Sequence, residues 1–184
     1  MSEDQRVDRD DLEPDKHGPA GSSRWSAYLD WVRSDLAATV LALSHEEQRR
    51  SSVPSAWTPI ELLSHVLHME RRWFVWGFLG EAVEAPWGDW TVEEPWGRDD
   101  ARWTVAEEVT AEQLAERLAV IGSRTTAILR DFPLDATASP GGRFADDPPT
   151  LEWICFHVLA EYARHAGHLD IAVELATRSN DDLG

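Results

Sequence analysis

The chain has 184 residues, of which 42% are hydrophobic and 28% are charged, a composition typical of one folded domain. It carries 34 acidic and 17 basic residues, and the resulting net charge of −17 disfavours binding to phosphate backbones and anionic membrane surfaces. No apolar run approaches the roughly 20 residues of a membrane span. We therefore expect neither nucleic acid nor a membrane as a partner.

The cysteine content indicates a cellular compartment, and the N-terminal residues indicate where the folded domain begins. A single cysteine, Cys155, excludes an intramolecular disulfide and is typical of the reducing cytoplasm. Residues 1–23 are polar, include Pro14 and Pro19 and contain no apolar segment, so they predict a disordered arm and not a secretory signal. We expect a cytoplasmic protein whose single domain spans residues 24–184.

Two amphipathic helices are predicted in the first half of the domain. The first covers about residues 25–43, where apolar residues recur at spacings of three and four. The second covers residues 59–79. Thr58 is its expected cap, Glu61 follows three residues after that cap, and Gly80 ends the helix.

Two further helices are predicted in the second half. One covers residues 110–132, and the other runs to about residue 177 with Thr150 as its cap. Residues 80–104 hold four tryptophans among glycines, prolines and acids, and residues 133–149 are also rich in turn formers. Since no segment has a convincing strand pattern, the sequence predicts an all-α four-helix bundle with long loops between helices 2 and 3 and between helices 3 and 4.

Three ionisable side chains share one face of the fourth predicted helix. At about 100° per residue, His165 lies roughly 40° from Glu161, and His168 lies roughly 20° to its other side. Apolar residues occupy the same sector, so this face is expected to point into the core. Burying three ionisable groups is costly without a partner, and a divalent metal ion that takes Glu and His ligands is one such partner.

His65 lies on the inner stripe of the second predicted helix. If the second and fourth helices face each other, His65, Glu161 and His165 converge. Three protein ligands then leave a coordination position open, as in catalytic metal sites. His168 is a fourth ligand, an outer partner of the ligands or a proton shuttle. The alternative without metal is a histidine bonded to backbone and a Glu161 paired with His165 or Arg164.

Two other groups of residues have a role only if such a site exists. An arginine beside it could bind an anionic substrate, and the pairs Arg49-Arg50 and Arg71-Arg72 are otherwise solvated charges or weak ion pairs. The tryptophans of residues 80–104 could cover the mouth of the pocket. Their alternative role is packing within an ordered loop.

Several of these segments resemble a known superfamily. The matching runs are Leu62-Leu63-Ser64-His65-Val66, Glu70-Arg71-Arg72-Trp73-Phe74, and His157 with the stretch from Glu161 to Asp170. Together they are similar to the DinB-like superfamily, in particular to its actinobacterial branch related to the metal-binding domain of mycothiol-dependent maleylpyruvate isomerases. The resemblance spans about residues 25–178.

The resemblance implies a four-helix bundle with a divalent metal, often zinc or nickel, held by His65, Glu161 and His165. Many members have histidine where this chain has Glu161, and the isomerases have glutamate there. Characterised relatives use a low-molecular-weight thiol such as mycothiol. The resemblance therefore implies a transferase or detoxification enzyme in which the thiol attacks a small electrophile.

Two alternatives remain at this stage. One is a metal-binding stress or regulatory protein without catalysis, and the other is a metal-free dimerisation bundle. The chain ends soon after the fourth predicted helix, so we do not expect the additional C-terminal domain of the isomerases or their activity. Broad apolar helix faces also allow a homodimer.

Overall fold

The computed structural model describes residues 13–144 and 146–181, and its regular elements there are helical. The prediction of an all-α protein is confirmed. In this part of the chain the only strand-like pairing consists of two isolated antiparallel bridges, Trp90 with Trp103 and Thr137 with Thr150. The helices are α1 (Ser22–Leu41), α2 (His45–Gln48), α3 (Pro59–Arg71), α4 (Ala111–Asp131) and α5 (Leu151–Asp181).

Helices α1 and α3 connect the four long helices. Each of them packs against α4 and α5, and the two also contact each other. Most of α3 is buried, including the polar Ser64, His65 and Glu70. The inner stripe predicted for this helix is therefore only part of its buried surface, because the segment between α3 and α4 covers another face. No helix in the described ranges is long and apolar enough to cross a membrane.

Three of the four predicted helix starts are confirmed by their caps, whereas α1 begins at Ser22, about three residues before its predicted start, without a side-chain cap. Thr58 accepts a hydrogen bond from the backbone of Glu61 and donates its own backbone N–H to that carboxylate, which forms a capping box. Thr110 and Gln113 form the same motif at the start of α4. Thr150 Oγ1 accepts a backbone N–H at the start of α5. Each cap satisfies N–H groups that would otherwise lack a partner.

Two features of the first half were not predicted. The short helix α2 lies between the first two predicted helices, where no helix was predicted, and the last part of the second predicted helix is a π-helix over Arg72–Phe78. There, the Leu79 N–H donates to the carbonyl of Phe74, five residues earlier. Periodicity of 3.6 residues does not reveal such a turn, which inserts one extra residue into the helix.

A buried carboxylate connects the long helices. Glu70 of α3 is fully buried and accepts hydrogen bonds from Arg33 of α1, Thr125 of α4 and Tyr162 of α5. The guanidinium forms two of these bonds, at 3.0 and 2.8 Å. Gly122 makes room for it, since a Cβ there would lie 2.6 Å from Arg33. The three residues that donate to Glu70 thus belong to three different long helices.

The residues before α1 are described in part. Residues 1–12 of the predicted arm lie outside the described residues. Arg24 donates to the carbonyl of Gly18 at 2.8 Å, and Tyr28 donates to Glu13 at 3.0 Å. These contacts tie the stretch from residue 13 onward to the first turns of α1.

Candidate metal centre

The structure brings His65 of α3 together with Glu161 and His165 of α5. One potential ligand atom from each residue lies within 4.8 Å of the other two. The two histidines are 8% and 6% exposed, and Glu161 is partly buried. Metal bonds to nitrogen and oxygen are about 2.0–2.2 Å long, so two ligand atoms of one ion lie at most roughly 4.4 Å apart, close to the separations in this cluster.

His165 is the group whose hydrogen-bonding is least satisfied. Neither ring nitrogen has a hydrogen-bond partner in the part of the chain that the structure describes, although both are buried. Nε2 lies 3.3 Å from Oε2 of Glu161 without the alignment of a hydrogen bond. Buried polar groups normally have partners, because leaving them unpaired costs free energy. A cation between His165 and Glu161 would remove that cost.

Glu161 is held as a carboxylate. His165 and, to a lesser degree, Arg164 lower its pKa to about 2, although partial burial acts in the opposite direction. Arg164 donates to Oε1 at 3.0 Å, which leaves Oε2 on the side of His165. The carboxylate therefore offers one oxygen to the cluster while its other oxygen is already hydrogen-bonded.

His65 is oriented by Asp89, which is fully buried. Nδ1 of His65 lies 2.8 Å from Oδ2 of Asp89, so Nε2 is the ring atom left for a cation. Burial lowers the pKa of His65 to about 4 against the opposing effect of Asp89, which keeps the ring neutral. Metal-ligating histidines commonly use their second nitrogen in this way.

Arg72 fixes Asp89 in turn. Its two terminal nitrogens donate to the two carboxylate oxygens at 2.5 and 3.1 Å. Burial alone would raise the pKa of Asp89, but the hydrogen bonds from His65 and Arg72 hold it below its ordinary value. The carboxylate is thus charged and can accept the Nδ1–H of His65.

Asp89 was missed by sequence reasoning, because nothing marks one carboxylate among 34 acidic residues. The sequence feature that could have pointed to Asp89 is its position between Gly88 and Trp90 in the tryptophan-rich segment. Gly88 packs closely against α3, since a Cβ there would lie 3.1 Å from Nε2 of His68. A glycine that permits such close contact next to an aspartate places the carboxylate against the helix.

Two tryptophans of the segment between α3 and α4 form one wall of the site. Trp103 stacks on His65 with ring centroids 4.2 Å apart, and its centroid lies 5.5 Å from that of His165. Trp90 meets His65 edge-on at 5.9 Å. The indole nitrogens of both tryptophans are buried without partners among the described residues. The wall is apolar toward the two imidazoles, which limits the access of water from this side.

The remaining candidates lie around the cluster. His168 is exposed, and its ring centroid is 5.9 Å from that of His165; it is not one of the three grouped residues. His157 packs on Trp73 with ring centroids 3.9 Å apart. Cys155 is buried, and burial raises the pKa of its thiol to about 12. It therefore packs as a small apolar side chain and remains a thiol at neutral pH.

The role of Asp89 leads to a measurable expectation. An Asp89→Asn variant replaces the charged carboxylate, which has two acceptor oxygens, with a neutral amide that has one. The amide oxygen cannot replace both carboxylate oxygens as acceptors for His65 and Arg72. We expect the affinity for Zn²⁺ to fall by about 10- to 100-fold, as is usual when an outer partner of a histidine ligand is lost. Competition with a chromophoric chelator measures this change. Asp100→Asn, in the same segment but exposed, is the matched control, and equal affinities of the two variants would contradict the role of Asp89.

The fold and the site together define a class: an all-helical protein with a buried His-Glu-His cluster between two helices. Comparison with protein families matches residues 25–177 to the family described as Mycothiol-S-transferase. Because this match covers most of the chain, the protein belongs to the mycothiol S-transferase family. The resemblance to the DinB-like superfamily is thereby confirmed. Comparison with curated proteins gave no match.

Proposed function

We propose that this protein is a metal-dependent S-transferase that joins mycothiol, or a closely similar low-molecular-weight thiol, to a small electrophile. The observation that carries the proposal is the buried His165, whose ring nitrogens lack partners beside Glu161 and His65. The family match supports the thiol as co-substrate. Two imidazoles and one carboxylate suit zinc or nickel, which are the metals we propose.

The donor set fits a divalent ion on chemical grounds. His65, Glu161 and His165 would hold the ion, and when bound it would supply positive charge that favours the thiolate over the thiol. His65 is neutral and therefore keeps a lone pair on Nε2, while Asp89 fixes the direction of that lone pair. Trp103 shields the imidazoles from water on one side.

We also infer a four-helix bundle that forms one domain over residues 24–184. This architecture is supported by the contacts of α1 and α3 with each other and with α4 and α5, and by the shared carboxylate of Glu70. A cytoplasmic location agrees with a reduced thiol as co-substrate and with a chain that has one cysteine. The family match covers residues 25–177, nearly the whole of this domain.

The direct test combines metal analysis with turnover. Untagged protein purified without chelator is expected to hold about one divalent ion per chain, because the site offers one three-ligand set. With mycothiol and 1-chloro-2,4-dinitrobenzene, the loaded protein should form the thioether, and chelation should stop the reaction until zinc or nickel is restored. Metal without turnover on any pair of thiol and electrophile would favour the non-catalytic alternative. Absence of metal after incubation with either ion would overturn the proposal.

A further inference from the structure

Arg143, in the segment between α4 and α5, is a partly buried cation whose guanidinium has no hydrogen-bond acceptor among the described residues. The buried Arg33 and Arg72 each donate to a carboxylate. In residues 13–144 and 146–181, by contrast, no carboxylate or carbonyl accepts a hydrogen bond from the guanidinium of Arg143. None of its nitrogens is among the buried polar atoms without a partner, so its N–H groups still face water. These N–H groups are therefore available to an acceptor from outside the chain.

Aromatic rings enclose this guanidinium. Its Cζ lies 4.2 Å from the ring centroid of Trp73, 5.7 Å from that of Trp87 and 5.8 Å from that of Phe144. Contact with ring faces compensates for part of the lost hydration. Burial, together with the charge of Arg72, lowers the pKa of Arg143 to about 10, so the group is still charged at neutral pH. The rings pack against the faces of the guanidinium, but they accept no hydrogen bond from the N–H groups in its plane.

The backbone that carries Arg143 is fixed on the π-helical segment. Its N–H donates to the carbonyl of Trp76 at 3.4 Å, and the N–H of Ser139 donates to the carbonyl of Phe78 at 2.8 Å. Between them, any side chain at Gly142 would collide with the Trp76 carbonyl. A cation held in place in this way binds a ligand with little loss of conformational entropy.

Two rings, those of Trp73 and His157, lie between Arg143 and the candidate metal centre. The ring of Trp73, which Arg143 contacts, is also in contact with His157. His157 stands one helical turn before Glu161 on α5, and the charges of Glu161 and Arg143 both act on it. The cation and the metal ligands are thus on the same side of α5, separated by His157 and Trp73.

We propose that Arg143 binds the carboxylate of an organic-acid electrophile and so selects anionic substrates for the metal centre. The planar guanidinium offers parallel N–H groups that match a carboxylate, and the surrounding rings offer an apolar wall for the rest of the molecule. In a protein with a net charge of −17, a local unpaired cation is needed to attract an anion at all. The inference rests on the proposed function, because the carboxylate that Arg143 binds belongs to the electrophile of that reaction.

The first test is a binding measurement on metal-free protein and does not depend on activity. Benzoate and its neutral analogue benzamide are titrated by calorimetry and by tryptophan fluorescence. We expect the wild type to bind benzoate at least about 10-fold more tightly than benzamide, and Arg143→Gln to lose about 10- to 100-fold in benzoate affinity. Arg117→Gln, which removes an exposed arginine of α4, should change neither.

Arg143→Lys keeps a cation over Trp73 but lacks the planar pair of donors, so it should lose part of the benzoate affinity. If Arg143→Gln does not fold, this variant and the comparison of benzoate with benzamide in the wild type still decide the question. Equal binding of benzoate and benzamide, or an unchanged benzoate affinity in the folded variants, would overturn the inference.

The second test separates this inference from the proposed function. Loaded wild type and Arg143→Gln are assayed with mycothiol and either 4-(bromomethyl)benzoate or its methyl ester. The acid is expected to lose about 10- to 100-fold in kcat/KM in the variant and the ester little. Equal losses on acid and ester would contradict the role of Arg143. No turnover with either would contradict the S-transferase function and leave the benzoate titration as the test of Arg143.

Discussion

A His165→Ala variant is expected to lose stoichiometric metal and thiol-transfer activity while remaining folded. The variant keeps two of the three ligands. Loss of an outer partner such as Asp89 is expected to lower the zinc affinity by up to about 100-fold, and loss of a ligand should lower it further. The substitution also removes two buried nitrogens that lack partners, which offsets part of the packing lost with the ring. The variant should therefore fold without metal.

Thermal unfolding with and without zinc provides the measurement. Metal that binds only the native protein stabilises it by about 2.7 kcal/mol at a concentration 100 times Kd, so the wild type should show a clear rise in Tm. The rise should be absent in His165→Ala. His168→Ala is the matched control on the same helix, and because His168 is exposed we expect it to keep the rise. A loss equal to that of His165→Ala would make His168 a fourth ligand, and a rise retained in His165→Ala would contradict the assignment of the centre.

A Glu70→Ala variant is expected to be among the least stable single substitutions in the chain. It leaves Arg33, which is 4% exposed, with only the largely exposed Asp30 as a charged partner, and it also removes the acceptor of Thr125 and Tyr162. Breaking one partner of a buried ion pair costs about 3–5 kcal/mol, and whole domains are stable by only about 5–15 kcal/mol. Urea denaturation at neutral pH measures the difference.

Two controls separate the charge from the packing. Glu70→Gln keeps the size and one acceptor, so its loss should be smaller. The double variant Arg33→Met/Glu70→Leu removes both charges, and replacement of a buried pair by apolar groups is often close to neutral. Asp100→Ala, at an exposed ion pair with Arg98, should have little effect. A stability of Glu70→Ala within about 1 kcal/mol of the wild type would show that the network does not hold the helices together.

The helices were predictable because their signals are local. A cap such as Thr58 or Thr110 acts through the next three residues, and the spacing of Glu161 and His165 fixes their relative direction on α5. The convergence of His65 with that pair needed one further assumption, that the two helices face each other. Whether these residues bind a metal remains a prediction.

The parts that were missed depend on contacts distant in sequence. Asp89 lies 24 residues after His65, in the irregular chain that follows the π-helix, and Arg143 reaches Trp73 from the segment before α5. No periodicity connects such pairs, because loops have no repeat. The π-helical turn after α3 was missed for a related reason: its hydrogen bonds change the register without changing the kind of residues that are buried.

The burial of Cys155 has a consequence for the proposed reaction with electrophiles. Its sulfur is inaccessible and remains protonated at neutral pH, and the sequence has no other cysteine. Alkylating agents react with thiolates, so the chain offers them no thiolate of its own. Under the proposed function, such a chain would resist alkylation of its own cysteine, and the thiol of the co-substrate would be the one that an electrophile meets.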